Sequence, residues 1–250
     1  MKRSEINIIL QEAKRFLADN KFHLPPFAAW TPGDWKRRGA EAREIVECGL
    51  GWDITDFGSG DFASCGLFLF TLRNGCRPAR QCGNGKVYAE KIMIVEVGQI
   101  TPLHFHWQKT EDIIVRGGGE LVVALFNSTP DGGLAASDVT VQLDGVQRKV
   151  APGETITLHA GESITLEPGM YHKFWGAKAR LLVGEVSTVN DDATDNRFYE
   201  PAGRFPEIVE DAPPLHLLVS DYARRSVHIP LVVPTPGSGP IASEVHTNAN

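Results

Sequence analysis

The stretch Gly98-Gln-Ile-Thr-Pro-Leu-His104-Phe-His106-Trp-Gln-Lys-Thr-Glu111-Asp-Ile-Ile-Val-Arg-Gly-Gly118 decides the fold. His104 and His106 stand two positions apart, and side chains two apart on a β-strand share a face. Both imidazoles can therefore reach one ion. Glu111 follows after a turn-sized gap and can swing in from the next strand. Gly117, Gly118 and Gly119 are expected to form a tight turn that sends the chain back. A further ligand is available in Glu167-Pro-Gly-Met-Tyr-His172. A lone histidine on an apolar strand is usually packed or solvated. The whole constellation, with a Pro-Gly turn before its last member, is far rarer by chance. Three imidazoles and one carboxylate form a mixed N/O donor set that suits Mn²⁺, Fe²⁺, Co²⁺, Ni²⁺ or Zn²⁺ better than Ca²⁺ or Mg²⁺.

Working outward, the remaining chain reads as short strands. Segments 66–73, 87–97 and 121–127 have strand composition. Segments 139–143 and 146–150 flank Asp144-Gly145, a strong hairpin signal. Short strands follow at 153–158, 163–166, 171–175 and 180–187. Many short strands separated by Gly/Pro turns indicate an all-β barrel or sandwich. Tyr88, Glu90, Ile92 and Ile94 share one face of the 87–97 strand, and Lys91, Met93 and Val95 the other; periodicity does not say which faces inward. Segment 51–61 is punctuated by Gly and Asp, and 76–85 reads as an irregular loop. Segment 190–214 is rich in Asp, Asn and Pro and is expected to wrap the barrel mouth, with another strand at 215–219.

The N-terminus differs. Ile6, Ile9, Leu10, Ala13, Phe16 and Leu17 fall on one helical stripe, with Ser4 as the expected cap and an end near Asn20. Thr31-Pro32 predicts a second helix over about 32–47. Trp30 and Trp35 read as packing residues around its start.

Composition bounds the rest. The chain has 250 residues, 42% hydrophobic and 22% charged, enough for one well-buried domain with attachments. A formal charge of −6 argues against nucleic acid or an anionic membrane as partner. No apolar run approaches the roughly 20 residues that span a bilayer, and the start lacks a signal-peptide core. Cys48, Cys65, Cys76 and Cys82 show no CxxC spacing and read as free thiols of a cytoplasmic protein.

The spacing G-x5-H-x-H-x4-E-x6-G, met by Gly98, His104, His106, Glu111 and Gly118, resembles the first motif of the cupins. Gly161, Pro168, Gly169 and His172 resemble the second, with Pro and Gly adjacent and Gly176 where many cupins have Asn. The resemblance implies a single cupin (jelly-roll) barrel at 85–190. Around it are expected N-terminal helices and accessory strands at 1–84, an extension at 191–229 and a flexible tail at 230–250. Further stretches narrow the likeness over most of residues 1–220: Ala89-Glu-Lys-Ile-Met93, Arg116-Gly-Gly-Gly119, Gly184-Glu-Val-Ser187, Val189-Asn-Asp-Asp192 and His23-Leu-Pro-Pro-Phe-Ala28 are similar to the cupin D-lyxose isomerases. That implies an aldose–ketose isomerase for free sugars such as D-lyxose and D-xylulose, and by extension D-mannose and D-fructose, with Mn²⁺ or a similar divalent ion.

On this reading His104, His106, Glu111 and His172 hold the metal. Lys109, between two ligands in sequence, is the candidate for binding or stabilising a sugar oxygen. Glu185 reaches the cavity if Leu181, Val183 and Glu185 face inward, and is the candidate base. Glu90, Lys91, Asp195 and Arg197 are weaker candidates for hydroxyl contacts; His159, His216 and His228 are assigned no chemistry. Three other classes compete. A cupin dioxygenase uses the same ligands but favours an apolar pocket. A sugar-binding cupin needs no base. A phosphosugar isomerase needs a compact basic group that is not evident here. A homodimer is expected. Since the composition after about residue 235 cannot build a core, its deletion should leave isomerase turnover nearly unchanged. A truncated chain that is monomeric and inactive would make the tail part of an interface.

Overall fold

The computed structural model describes residues 1–76 and 85–224. The tail expected after 230, Cys82 and His228 lie outside them, as does most of the loop expected at 76–85. Eleven strands form one antiparallel sheet system: β1 (Gly51–Thr55), β2 (Leu67–Arg73), β3 (Tyr88–Val95), β4 (Ile100–His106), β5 (Glu111–Asn127), β6 (Val139–Leu143), β7 (Val146–Val150), β8 (Thr155–Leu158), β9 (Ser163–Leu166), β10 (Met170–Thr188) and β11 (Asn196–Phe198). Its main path runs β1-β2-β3-β10-β5-β9-β6-β7, while β4 pairs with β10 and β11, and β8 with β5. Three helices, α1 (Arg3–Asp19), α2 (Pro32–Arg38) and α3 (Arg43–Glu47), precede the strands. Among the described residues no helix is long and apolar enough to cross a membrane.

Two apolar cores sit on opposite faces of β2 and β3. Leu69, Met93 and Val95 turn into the barrel with Ile113, Val123 and Val183. Phe68, Phe70, Ile92 and Ile94 turn the other way and pack with Ile6, Leu10, Ala13 and Leu17 of α1. This settles which face of β3 is inside: both are covered. It also explains β1, which lies in the segment punctuated by Gly and Asp, where no strand is expected. All five of its residues are buried, so it shows no polar–apolar alternation to read. The helical stripe thus serves as a lid on the outer face of the sheet. Arg3 fixes its start, fully buried, at 2.7 Å from Asp221 and 2.8 Å from Glu210.

Several expectations are corrected. Lys2, not Ser4, occupies the cap of α1; Ser4 lies inside the helix and its hydroxyl donates to Asp211. Thr31 does cap α2, in a reciprocal box with Asp34. The expected helix over 32–47 is broken, however, by a 3₁₀ turn at Gly39–Ala42 that starts from Gly39 at φ 51°. Segment 215–219 contributes one parallel bridge, Trp52 to Leu218, instead of a strand. Cys48 and Cys76 form a disulfide across 28 residues, so the reading of every cysteine as a free thiol fails; Cys65 is free. That proximity is made by tertiary packing and leaves no trace in cysteine spacing.

The largest correction concerns the glycines. Gly117, Gly118 and Gly119 do not reverse the chain: β5 runs through them for 17 residues, paired with β10 along its length. The segments 171–175 and 180–187 likewise join in the 19-residue β10. The glycines permit close backbone contact where the two strands slip past each other. A Cβ on Gly119 would sit 2.2 Å from the carbonyl oxygen of Ala177 and 2.3 Å from that of Ala179. Gly119→Ala should therefore lower stability by about 1–3 kcal/mol, the usual scale of overpacking. An unchanged denaturant midpoint would show that the slip can absorb a methyl group.

Candidate metal centre

His104 and His106 come from β4, Glu111 from the first position of β5, and His172 from the third position of β10. The antiparallel register places His172 directly opposite His104. One ligand atom from each histidine lies within 4.8 Å of those of the other two. Glu111 Oε1 is 3.3 Å from His106 Nε2 and 3.2 Å from His172 Nε2. Bonds of about 2.1 Å at right angles would separate neighbouring donors by about 3.0 Å, close to the two Glu111 contacts, while the group that closes on all its members is the three histidines.

Proton positions point the same way. His104 Nδ1 lies 2.8 Å from the Pro102 carbonyl and His172 Nδ1 3.0 Å from that of Met170. A carbonyl only accepts, so both Nδ1 atoms carry the proton and both Nε2 atoms present a lone pair. His172 Nε2 is buried and has no hydrogen-bond partner; the carboxylate beside it is a second acceptor. Two acceptors facing each other in a dry site call for a cation. Burial, with the neighbouring histidines, holds His104 well below its usual pKa, and burial with Lys109 lowers His106. Neutral imidazoles are the form that ligates. Burial opposes the charge on Glu111, but Lys109 and His106 outweigh it and hold the carboxyl well below the usual range.

A charged wall adjoins this cluster. Lys109 Nζ is 2.5 Å from Glu111 Oε2 and 3.0 Å from Glu185 Oε1. Lys91 Nζ is 3.2 Å from the same Glu185 oxygen and donates to Asn190 Oδ1 at 2.8 Å. Asn190 is held in turn by reciprocal bonds with Asn74, whose amide also donates to the Cys48 carbonyl. Burial opposes the charge on Lys109, yet Glu111 and Glu185 raise its pKa above the usual lysine value.

Glu185 reaches the cavity by a departure from strand periodicity. His172 and Glu185 are thirteen positions apart (185 minus 172), which in a regular strand means opposite faces. The β10–β5 register shifts between Ala177 and Leu181 and again between Leu182 and Val183, with Lys178 at φ 66°. These slips reset the alternation, so Phe174 and Val183 both join the barrel core and Glu185 is buried beside Lys109.

Together these groups border one cavity. His104, His106, Glu111, His172, Lys109, Glu185 and Lys91 line it, as do Asp192, Asn196 and Arg204. Glu90, Asp195 and Arg197, expected to contact substrate, are not in its wall. Glu90 lies on the outer face of β3, paired with Arg73. Asp195 is buried but turned to the backbone, accepting from the amides of Gln108 and Lys109 at 3.0 and 3.1 Å. Arg197 is exposed, its guanidinium bonded to the Phe198 carbonyl. Asp192 lies in the stretch Val189–Asp192 that carries the family resemblance and adds to the polar character of the site. Arg204 had no local signal, since its partner Asp53 lies 151 positions away.

A family model described as D-lyxose isomerase matches residues 1–222. A protein from Serratia proteamaculans named D-lyxose/D-mannose isomerase is 50% identical over 227 residues, 90% of this chain and 99% of that one. A second of that name, from Escherichia coli O157:H7, is 48% identical over 225 residues, 89% and 98% of the respective chains. Among solved structures, an L-ribose isomerase of Acinetobacter sp. DL28 in complex with L-ribose superposes with a TM-score of 0.54. It is 18% identical and covers 84% of this chain and 98% of its own. The L-ribose isomerase of Cellulomonas parahominis with L-psicose gives 0.51 at 21% identity with the same coverage. These two show a shared fold.

His106→Ala should weaken binding of Mn²⁺ at least about tenfold, since even outer partners of metal ligands contribute that much. Metal analysis after dialysis reads this directly, and full occupancy in the variant would remove His106 from the ligand set.

Proposed function

The chain belongs to the D-lyxose isomerase family and is an aldose–ketose isomerase, and we propose that it interconverts D-lyxose with D-xylulose, and D-mannose with D-fructose. We further propose Mn²⁺ as its ion, with Co²⁺, Fe²⁺, Zn²⁺ or Ni²⁺ as substitutes, held by His104, His106, Glu111 and His172. A divalent ion there would polarise the sugar carbonyl and stabilise negative charge on the adjacent oxygens.

The chain's own residues handle the proton. Aldose–ketose isomerisation moves hydrogen between C2 and C1. Glu185, buried in the cavity wall, takes the proton from one carbon and returns it to the other. Lys109 donates to the oxygen that gains negative charge, and Lys91, held by Asn190, keeps the Glu185 carboxylate in place. The observation that carries this reading is the 3.0 Å Lys109–Glu185 pair set directly against the histidine cluster. Six charged side chains among the described residues line the cavity, which suits a polyol far better than the aromatic substrate a dioxygenase reading requires.

A positioned base contributes roughly 10²–10⁴ in rate, so Glu185→Gln should lower kcat by about that factor with metal content intact. EDTA should abolish ketose formation and Mn²⁺ or Co²⁺ restore it. Near-normal turnover in Glu185→Gln removes that residue from the mechanism. Turnover coupled to oxygen uptake would replace the isomerase reading altogether. Reaction in D₂O should place some deuterium at the reacting carbons; its complete absence would count against a shuttled proton.

A further inference from the structure

Arg204 lines the same cavity as the histidine cluster, in the stretch that follows β11. One edge of its guanidinium is fully engaged. Nη2 lies 2.7 Å from Asp53 Oδ2 and 3.1 Å from Asp192 Oδ2, and Nε donates to Asp192 Oδ1 at 3.3 Å. The other edge is bare: Nη1 is buried and has no hydrogen-bond partner. The side chain is 11% exposed and that of Asp53 3%. Leaving a guanidinium donor unmet inside a protein is costly, and such groups commonly await a ligand. An Arg held rigidly by carboxylates on one side is well placed to bond a ligand on the other.

The chemistry of the missing partner is constrained. Guanidinium only donates, so Nη1 requires an acceptor. The positive charge is already opposed by two carboxylates, Asp53 and Asp192. A phosphate dianion would meet both of them, whereas a neutral hydroxyl oxygen would not. Asp192 also lines the cavity, on the engaged edge of the guanidinium. A neutral hydroxyl therefore meets the acceptor requirement of Nη1 without adding negative charge beside Asp192.

We propose that Arg204, braced by Asp53 and Asp192, donates from Nη1 to a sugar hydroxyl remote from C1 and C2, and that this contact determines which free sugars the enzyme accepts. The proposal rests on the isomerase reading above and extends it to the non-reacting end of the substrate. It makes Arg204 a specificity-determining residue and disfavours a phosphorylated sugar at that end of the cavity.

A cycle that varies protein and substrate together tests it. D-Lyxose, 4-deoxy-D-lyxose and 5-deoxy-D-lyxose are turned over by the native Mn²⁺ enzyme and by Arg204→Lys, which keeps the charge but not the fork. Loss of the contacted hydroxyl should lower native kcat/KM about 10–100-fold, the scale of a hydrogen bond to a charged group. The same deletion should cost the variant less than about threefold, because its contact is already gone. Equal losses in both proteins for both analogues would reduce Arg204 to a structural counter-ion and overturn the proposal. If Arg204→Lys fails to fold, the native enzyme alone decides: similar kcat/KM for all three sugars overturns it, and selective loss with one analogue supports it. Native enzyme that leaves D-lyxose unchanged removes the isomerase reading and this proposal together, whereas turnover of D-lyxose without discrimination removes this proposal alone.

Discussion

Two imidazoles with inward lone pairs and one carboxylate cannot share a buried space unless positive charge lies among them, and the whole cavity is arranged around that constraint. In the chain alone, Lys109 supplies part of the answer through its ammonium group against Glu111. Lys109 then requires Glu185, Glu185 requires Lys91, and Lys91 lies 4.0 Å from Asp192. Asp192 requires Arg204, which ends the series on Asp53. Charges of alternating sign thus run from Glu111, beside the histidine cluster, to the buried strand β1. Such a series is a weak source of net stability, because each member must first lose its water. What it provides is position: every side chain is fixed by two neighbours, and a polar ligand entering the cavity meets dipoles that need little reorganisation.

The same series shows why some of the site could be read from sequence and some could not. His104 and His106 were legible because β periodicity is local, and Glu111 because it lies one turn away. Lys109 was legible as their neighbour. Asp53 and Arg204 are joined only by folding: one lies in a strand buried on every side, the other in an irregular segment. Neither carries a pattern that a window of residues can detect. The failures in secondary structure have similar causes. Gly39 divides a segment whose apolar spacing suits one helix. Three successive glycines look like a turn, although opposite a strand that carries extra residues they are what lets two long strands stay paired. The disulfide between Cys48 and Cys76 depends on the chain after β2 returning to the end of α3, where Asn74 bonds the Cys48 carbonyl, and this is equally invisible along the chain.

The covering of both faces of β2 and β3 gives the N-terminal segment a direct bearing on the site. Lys91 projects into the cavity from the strand whose other face is packed beneath α1. The helix is fastened by the buried Arg3–Asp221 pair, and by its terminal amine to the Glu207 carbonyl at 2.8 Å. The two ends of the described fold therefore close over the back of the strand that sends Lys91 into the cavity.

The slip in β10 carries a consequence for chain length. Of Ala177, Lys178, Ala179 and Arg180, Lys178 and Ala179 are exposed, whereas Arg180 pairs with Glu96 and lies over the Phe16 ring. Adding or removing a single residue there would leave His172 in place but rotate Glu185 to the outside and Val186 to the inside, while preserving nearly every hydrogen bond of the sheet. An insertion or deletion of odd length there would move Glu185 off the cavity wall, whereas one of even length would leave it in place.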